Sequence, residues 1–294
     1  MDSYICTLCP RQCGATRTET ENLGGYCGMP AAPVLARAAL HFGEEPCISG
    51  TRGSGTVFFS GCSLGCVFCQ NDSISHRRQG KAVTPQRLAD IFRELEAAGA
   101  HNINLVNPTH YAASIRKALS LYKPDIPVVY NTGGYERVET LRSLEGLIDI
   151  YLPDCKYADS TLAATLSGAA DYFSYTSAAI QEMARQTGPV VLDGAGIMQK
   201  GTLVRHLVLP GHTKNSLEVL DWLATVKQIW VSLMFQYTPC GDVSAYKELQ
   251  RPLTRRECAK VWDYMATLGL EGGYVQERES TGTAMIPAFD LTGV

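Results

Sequence analysis

Between residues 56 and 235 the chain alternates short apolar, strand-forming runs with stretches of helical periodicity, six times over. Residues 56–60, 103–106, 127–130, 148–152, 203–209 and 229–235 read as strands, bounded by turn-formers such as Pro210-Gly211. The first helix opens at Thr84, a residue that caps free N–H groups, with Pro85 in the first helical position. Its Leu88, Ile91, Phe92 and Leu95 fall on one face. Further helices are expected over 109–121, 135–145, 159–187 and 215–226. A last one starts from Thr254, where Thr254 and Glu257 form a capping box and Val261, Trp262, Met265 and Leu268 supply the apolar face. Residues 188–202, with Gly194, Gly196 and Gly201, fit a hairpin insertion. Such alternation demands parallel strands with right-handed crossovers. Six units are fewer than the eight of a closed barrel, so the expected fold is α/β, an open or partial (β/α)6 barrel. A doubly wound sheet fits the same string.

Residues 1–50 differ in kind: they are rich in Cys, Gly and Pro and show no sustained periodicity. With the connector 50–55 they set off a Cys-rich N-terminal extension, 1–50, from a barrel domain, 51–294. The 26 basic and 29 acidic residues leave a net charge of −3, which disfavours nucleic acid as a partner. No apolar run is long enough to span a membrane. The opening Met1-Asp2-Ser3-Tyr4-Ile5-Cys6 has neither the basic nor the apolar region of a secretory leader, so a cytoplasmic location is expected.

There are 11 cysteines, eight of them within the first 69 residues. An odd number in a reducing compartment argues against a disulfide framework and for metal or iron–sulfur ligation. The segment Gly61-Cys62-Ser63-Leu64-Gly65-Cys66-Val67-Phe68-Cys69 puts three thiolates on one tight loop directly after the first strand. A structural zinc site wants a fourth ligand, and ferredoxin-type runs supply four cysteines. Three thiolates on a four-iron cube leave one iron open to a substrate or cofactor. Burial as small apolar side chains is the plainer alternative.

This C-x3-C-x2-C loop resembles that of the radical S-adenosylmethionine (SAM) enzymes. The resemblance implies that Cys62, Cys66 and Cys69 hold a [4Fe–4S] cluster whose fourth iron is chelated by SAM. Reductive cleavage would then give methionine and a 5′-deoxyadenosyl radical that abstracts hydrogen. It also implies the partial (β/α)6 barrel and a flavodoxin- or ferredoxin-type reductant. More closely, Cys6 to Cys13, Glu45-Pro46-Cys47-Ile48-Ser49-Gly50, Phe68-Cys69-Gln70-Asn71 and Asn102 to Tyr111 are similar to uncharacterised homologues of pyruvate formate-lyase activating enzyme. A partner enzyme's backbone glycine, a peptide or a small molecule are the substrates this likeness allows.

Ligands of α/β folds gather at the carboxyl ends of parallel strands. Those ends carry Asn107 and Thr109, Asn131 and Thr132, Asp154 and Lys156, Arg205 and His212, and Gln236. Asp154 and Lys156 are two apart and so face one way in extended chain. The resemblance implies an Asp-x-Lys at Asp154-Cys155-Lys156, an Asx at Asn131, and Arg205 upstream of Val208-Leu209-Pro210-Gly211. It lacks the family's Gly-Gly-Glu stretch, with Asn107-Pro108-Thr109-His110 in its place, and has Gln236 where a histidine is usual. Asn107, Asn131, Asp154, Lys156, Arg205 and Gln236 are the expected SAM or substrate contacts.

Cys6, Cys9, Cys13 and Cys27 form a second four-thiolate set, suited to zinc or an auxiliary iron–sulfur cluster, with Cys47 as a substitute ligand. Cys155 and Cys240 lie near the rim as hydrogen donors, substrate contacts or buried thiols, and Cys258 reads as core. His110 and His212 sit at strand ends, whereas His41, His76 and His101 read as structural or exposed. The tail ending 287–291 is expected to pack over the barrel. Two other readings remain from the sequence: an electron-transfer or redox-sensing iron–sulfur protein without SAM cleavage, and a zinc-stabilised binding module.

Overall fold

The computed structural model describes residues 3–270, 272–276 and 287–294. All six expected strands form: β1 (Ser54–Phe59), β2 (Ile103–Val106), β3 (Val128–Thr132), β4 (Ile150–Pro153), β5 (Met198–Leu207) and β6 (Ile229–Met234). A seventh parallel strand, β7 (Gly273–Gln276), follows the last helix. Each strand pairs in parallel with its predecessor in the chain, and this unreversed order decides between the two topologies. A doubly wound sheet reverses at a switch point; this one curls in a single sense as a partial barrel. It does not close. The free side of β1 is covered by an antiparallel strand, Val34–His41, which in turn pairs with Lys81–Ala82. Sequence periodicity missed Val34–His41, whose alternation is broken by Arg37 and a bulge.

The helices form where apolar spacing and caps agree. Thr84 accepts the Arg87 N–H at the start of Pro85–Ala97, whose Leu88, Ile91, Phe92 and Leu95 are buried against the sheet. Thr254 and Glu257 make the expected capping box of Arg255–Thr267. Trp262 on that helix is nevertheless 47 % exposed. The single helix expected over 159–187 is two, Ser160–Ser167 and Tyr172–Thr187, because Gly168 takes a left-handed conformation (φ 61°) that ends the first. The 188–202 hairpin exists as Val191–Leu192 against the start of β5, so one arm is the barrel strand itself. After Pro287 the tail lies along Val34–His41, Phe289 stacking edge-on against Phe58 at 5.3 Å. No described helix is long and apolar enough to cross a membrane.

The N-terminal extension shapes the barrel at two levels. Tyr4–Ile5, Thr16–Arg17 and Asn22–Leu23 form a small antiparallel sheet. From it, Arg11 Nε–H donates to Ser63 O at 2.8 Å and Nη2–H to Ser167 O at 3.2 Å, with its guanidinium 4.0 Å over the Tyr26 ring. The cysteine loop is thereby tied to the end of helix Ser160–Ser167. A Cβ on Gly65 would come within 2.6 Å of the Tyr26 hydroxyl, so the loop packs closely against the extension there and any side chain would have to displace the Tyr26 ring. Lower down, the short helix Pro46–Ser49 enters the barrel. Cys47 and Ile48 pack among Val129, Ile150, Leu152, Met198 and Leu203, plugging the interior. Asn102 holds the plug by donating to Ile48 O at 2.7 Å.

Arg11→Ala should leave the circular-dichroism spectrum intact but release iron to a chelator several-fold faster after anaerobic reconstitution; equal release would remove the clamp from the account. A second expectation concerns Glu136, buried behind the β3 end, which accepts from Thr109 (2.6 Å), Tyr130 (3.4 Å) and Thr132. Burial raises its pKa to about 7, the hydroxyls offsetting only part. Between its ordinary 4.5 and about 7 the unfolded chain gives up a proton that the folded chain keeps, so stability falls as pH rises through that window. Urea unfolding from about pH 5 to about pH 8 should show a loss on the order of 2–3 kcal/mol that Glu136→Gln flattens. An equal slope in both proteins would contradict this.

Candidate active site

Beyond β1 the chain turns at Gly61 (φ 81°), where a Cβ would meet the Met29 side chain at 2.2 Å, and enters the cysteine loop. Val67 N–H donates to Leu166 O at 2.9 Å, which fixes the loop over the helix Ser160–Ser167. Each sulfur has its own hydrogen-bond partner: Leu64 N–H donates to Cys62 Sγ (3.3 Å), Ser167 Oγ donates to Cys66 Sγ (2.9 Å), and Ser75 Oγ pairs with Cys69 Sγ (3.2 Å). Hydrogen bonds to ligating sulfurs are one of a protein's levers on a cluster. Burial pushes the Cys62 thiol up to about 12, with Cys66 and Cys69 adding to the shift. Burial likewise raises Cys66 and Cys69. The Lys156 ammonium opposes all three shifts.

Cys62, Cys66 and Cys69 line a cavity of about 280 Å³ inside the barrel mouth. Among the described residues no three Cys, His, Asp or Glu side chains converge to hold a single metal ion. A four-iron cube asks for something else, one thiolate for each of three corners, and three sulfurs facing one cavity fit that demand. Asn107, Asn131, Asp154, Lys156, Arg205 and Gln236 line the same cavity, so the structure brings together all the barrel residues expected to make contacts.

The charged members form one connected set. Arg205 donates from Nε to Asp154 Oδ1 (2.9 Å), from Nη1 to Glu44 Oε2 (3.1 Å) and from Nη2 to Asn131 Oδ1 (2.7 Å). Lys156 Nζ lies 2.5 Å from Asp154 Oδ2. Burial works against the Asp154 carboxylate, but Lys156 and Arg205 outweigh it and hold its pKa below the usual value. Lys156 is raised by Asp154 and Cys66 despite its burial. Both therefore stay charged at neutral pH, a cation–anion pair beside the sulfurs. Asn107, at φ 60° after β2, donates to Gly61 O and locks the cysteine loop to the next strand end.

Sequence reasoning missed Glu44 and Glu45, which reach the cavity from the plug rather than from a strand end. Glu44 accepts from Asn104 Nδ2 (3.2 Å) and Asn131 Nδ2 (3.1 Å) as well as from Arg205. Two acids before a proline look like a surface turn, and only the pairing of Val34–His41 with β1 points them inward. His41 also lines the cavity.

Of the other candidates, most lie outside the cavity. Thr109 serves Glu136. His110 is buried against Ser60 O at 2.8 Å, with burial lowering its pKa to about 3. His212 sits 3.4 Å from Glu248, away from the cavity. Cys155, between Asp154 and Lys156, points the opposite way into the core with Ile180 and Val204. Cys240 lines the cavity. In the extension, Cys6, Cys9 and Cys27 are buried and Cys13 is exposed. Burial pushes Cys9 up to about 12, and Arg17 Nη1 lies 3.5 Å from Cys6 Sγ.

Comparison with known proteins agrees with this geometry. Residues 56–223 match the model of the Radical SAM superfamily. The chain is 30 % identical over 277 residues to the uncharacterized protein MJ0674 of Methanocaldococcus jannaschii, covering 90 % of this chain and 75 % of that one. Streptococcus suis SuiB bound to precursor peptide SuiA superposes with a TM-score of 0.52 at 16 % identity. That match spans 74 % of this chain but only 46 % of SuiB, and it speaks to the fold alone. Methylornithine synthase (PylB) gives 0.49 at 14 % identity over 82 % of this chain and 72 % of that one. A three-cysteine loop on β1, a sequential partial barrel and a match over more than half its length place this chain in the radical SAM superfamily.

Proposed function

We propose that this protein cleaves SAM reductively at a [4Fe–4S] cluster held by Cys62, Cys66 and Cys69 and abstracts hydrogen from a substrate seated in the same cavity. The observation that carries this reading is the shared cavity: the three thiols and the Asp154–Lys156–Arg205–Asn131 set face one space. When bound, cluster and SAM supply the deoxyadenosyl radical; the chain's own work is to bind, orient and exclude water. Lys156 and Arg205 offer donors for a carboxylate, while Asp154, Glu44 and Asn131 offer acceptors for an ammonium and ribose hydroxyls. A flavodoxin or ferredoxin would return the electron.

The substrate is a peptide or protein in this reading. The fold-level likeness to SuiB, solved with a precursor peptide, supports it, as does the resemblance to uncharacterised homologues of pyruvate formate-lyase activating enzyme. Activating enzymes carry their extra cysteines after the three-cysteine loop, whereas here they precede it. That difference favours a peptide over a glycyl-radical partner.

Anaerobic protein, reconstituted and given dithionite and SAM, should form 5′-deoxyadenosine, and Cys62→Ala/Cys66→Ala/Cys69→Ala should form none. Lys156→Met should retain iron yet bind SAM at least about tenfold more weakly. A loaded, reducible cluster that leaves SAM intact would favour electron transfer instead. Iron beyond one cube, or zinc, in the same preparation tests the N-terminal thiols as a second metal site.

A further inference from the structure

Two buried acceptors in the cavity have no donor among the described residues. Glu45 is 1 % exposed, and its Oε2 has no hydrogen-bond partner among the described residues. Gln236 Oε1, buried at the end of β6, is also unpartnered, and both residues line the cavity. Among the described residues, Glu45 Oε1 accepts from the neutral side-chain amide of Gln276 at 3.2 Å. The Ser232 hydroxyl lies near enough to favour the charged carboxylate but completes no well-formed hydrogen bond. A buried carboxylate oxygen without a donor is costly, so a ligand that supplies one would complete the site.

The charges around it say what kind. Glu44, Glu45 and Asp154 face Arg205 and Lys156, three carboxylates against two cations. Arg205 is in direct contact with Glu44 and Asp154, and Lys156 with Asp154, which leaves Glu45 without a contacting cation among the described residues. Burial raises the Glu45 carboxyl above its ordinary value; Arg205 pulls it back and Glu44 pushes it further. Two unpartnered acceptors, one of them a carboxyl that a bound cation would hold ionised against its burial, suit an organic cation with several N–H groups.

We propose that Glu45, with Gln236, is the docking point for a protonated amine or guanidine group of the substrate. Glu45 is introduced from the plug, whose neighbours Ile150 and Met198 open their strands, whereas the cysteine loop follows the far end of β1. A basic side chain held at Glu45 would anchor the substrate within the cavity that the three cysteines also line. The inference deepens the functional reading, since it takes the cavity to be the substrate chamber.

The test uses agmatine, which carries an ammonium and a guanidinium, on reconstituted protein saturated with SAM, with glutarate as the anionic control. Calorimetry should show agmatine binding and no glutarate binding. Glu45→Gln should weaken agmatine at least about tenfold while SAM affinity stays within about twofold. Gln236→Glu, which adds a carboxylate, should tighten agmatine, a gain that misfolding does not produce. Equal agmatine binding by wild type and Glu45→Gln, or none by wild type at about 10 mM, would overturn the proposal. So would a tenfold loss of SAM affinity in Glu45→Gln, which would give the carboxylate to SAM. Agmatine bound through Glu45 in a protein that never cleaves SAM would sink the catalytic reading and leave this one standing; SAM cleavage with no cation selectivity would do the reverse.

Discussion

A guanidinium shared by two carboxylates inside the barrel is the constraint on which the site depends. Arg205 on β5 reaches Glu44 from the plug, Asp154 after β4 and Asn131 on β3. Each partner is largely buried, and removing any one would leave the others partly uncompensated away from bulk water. The same contacts that compensate the buried charge also fix where Lys156 stands relative to the cysteine sulfurs. Parallel strands in unbroken order make this geometry available, because neighbouring strand ends converge on one mouth without a loop having to search for its place.

The N-terminal extension completes what the open barrel leaves undone. Its strand Val34–His41 covers the exposed side of β1, and its plug fills the interior below the site. Arg11 and Tyr26 brace the cysteine loop from outside. An unclosed sheet otherwise presents an unpaired edge and an unfilled core. The cysteine-rich segment is thus part of the active-site architecture through its backbone and its charged residues.

Much of this was legible in the residues, for identifiable reasons. Strands buried on both faces read as apolar runs, and their helices carry a clear period, so the six central units could be placed. Strand ends then gave Asn107, Asn131, Asp154, Lys156, Arg205 and Gln236 as one set. What escaped depends on tertiary pairing. The strand Val34–His41 is irregular in sequence, β7 is four residues long, and the break at Gly168 interrupts an otherwise continuous helical pattern. Glu44 carries no local signal, and Glu45 stands out only as part of the segment 45–50 that resembles the family, not as a cavity residue. Their role exists only because a strand paired to β1 delivers them beneath the rim.

The central claim is that three thiols hold a cube whose fourth iron takes SAM beside Lys156 and Asp154. Electron paramagnetic resonance of the reduced, reconstituted protein tests it most directly, recorded with and without SAM labelled with nitrogen-15 at the amino group. The account predicts a [4Fe–4S]+ signal whose g-values shift on adding SAM and which shows coupling to the labelled nitrogen. A reduced-cluster spectrum unchanged by SAM and free of that coupling would contradict it.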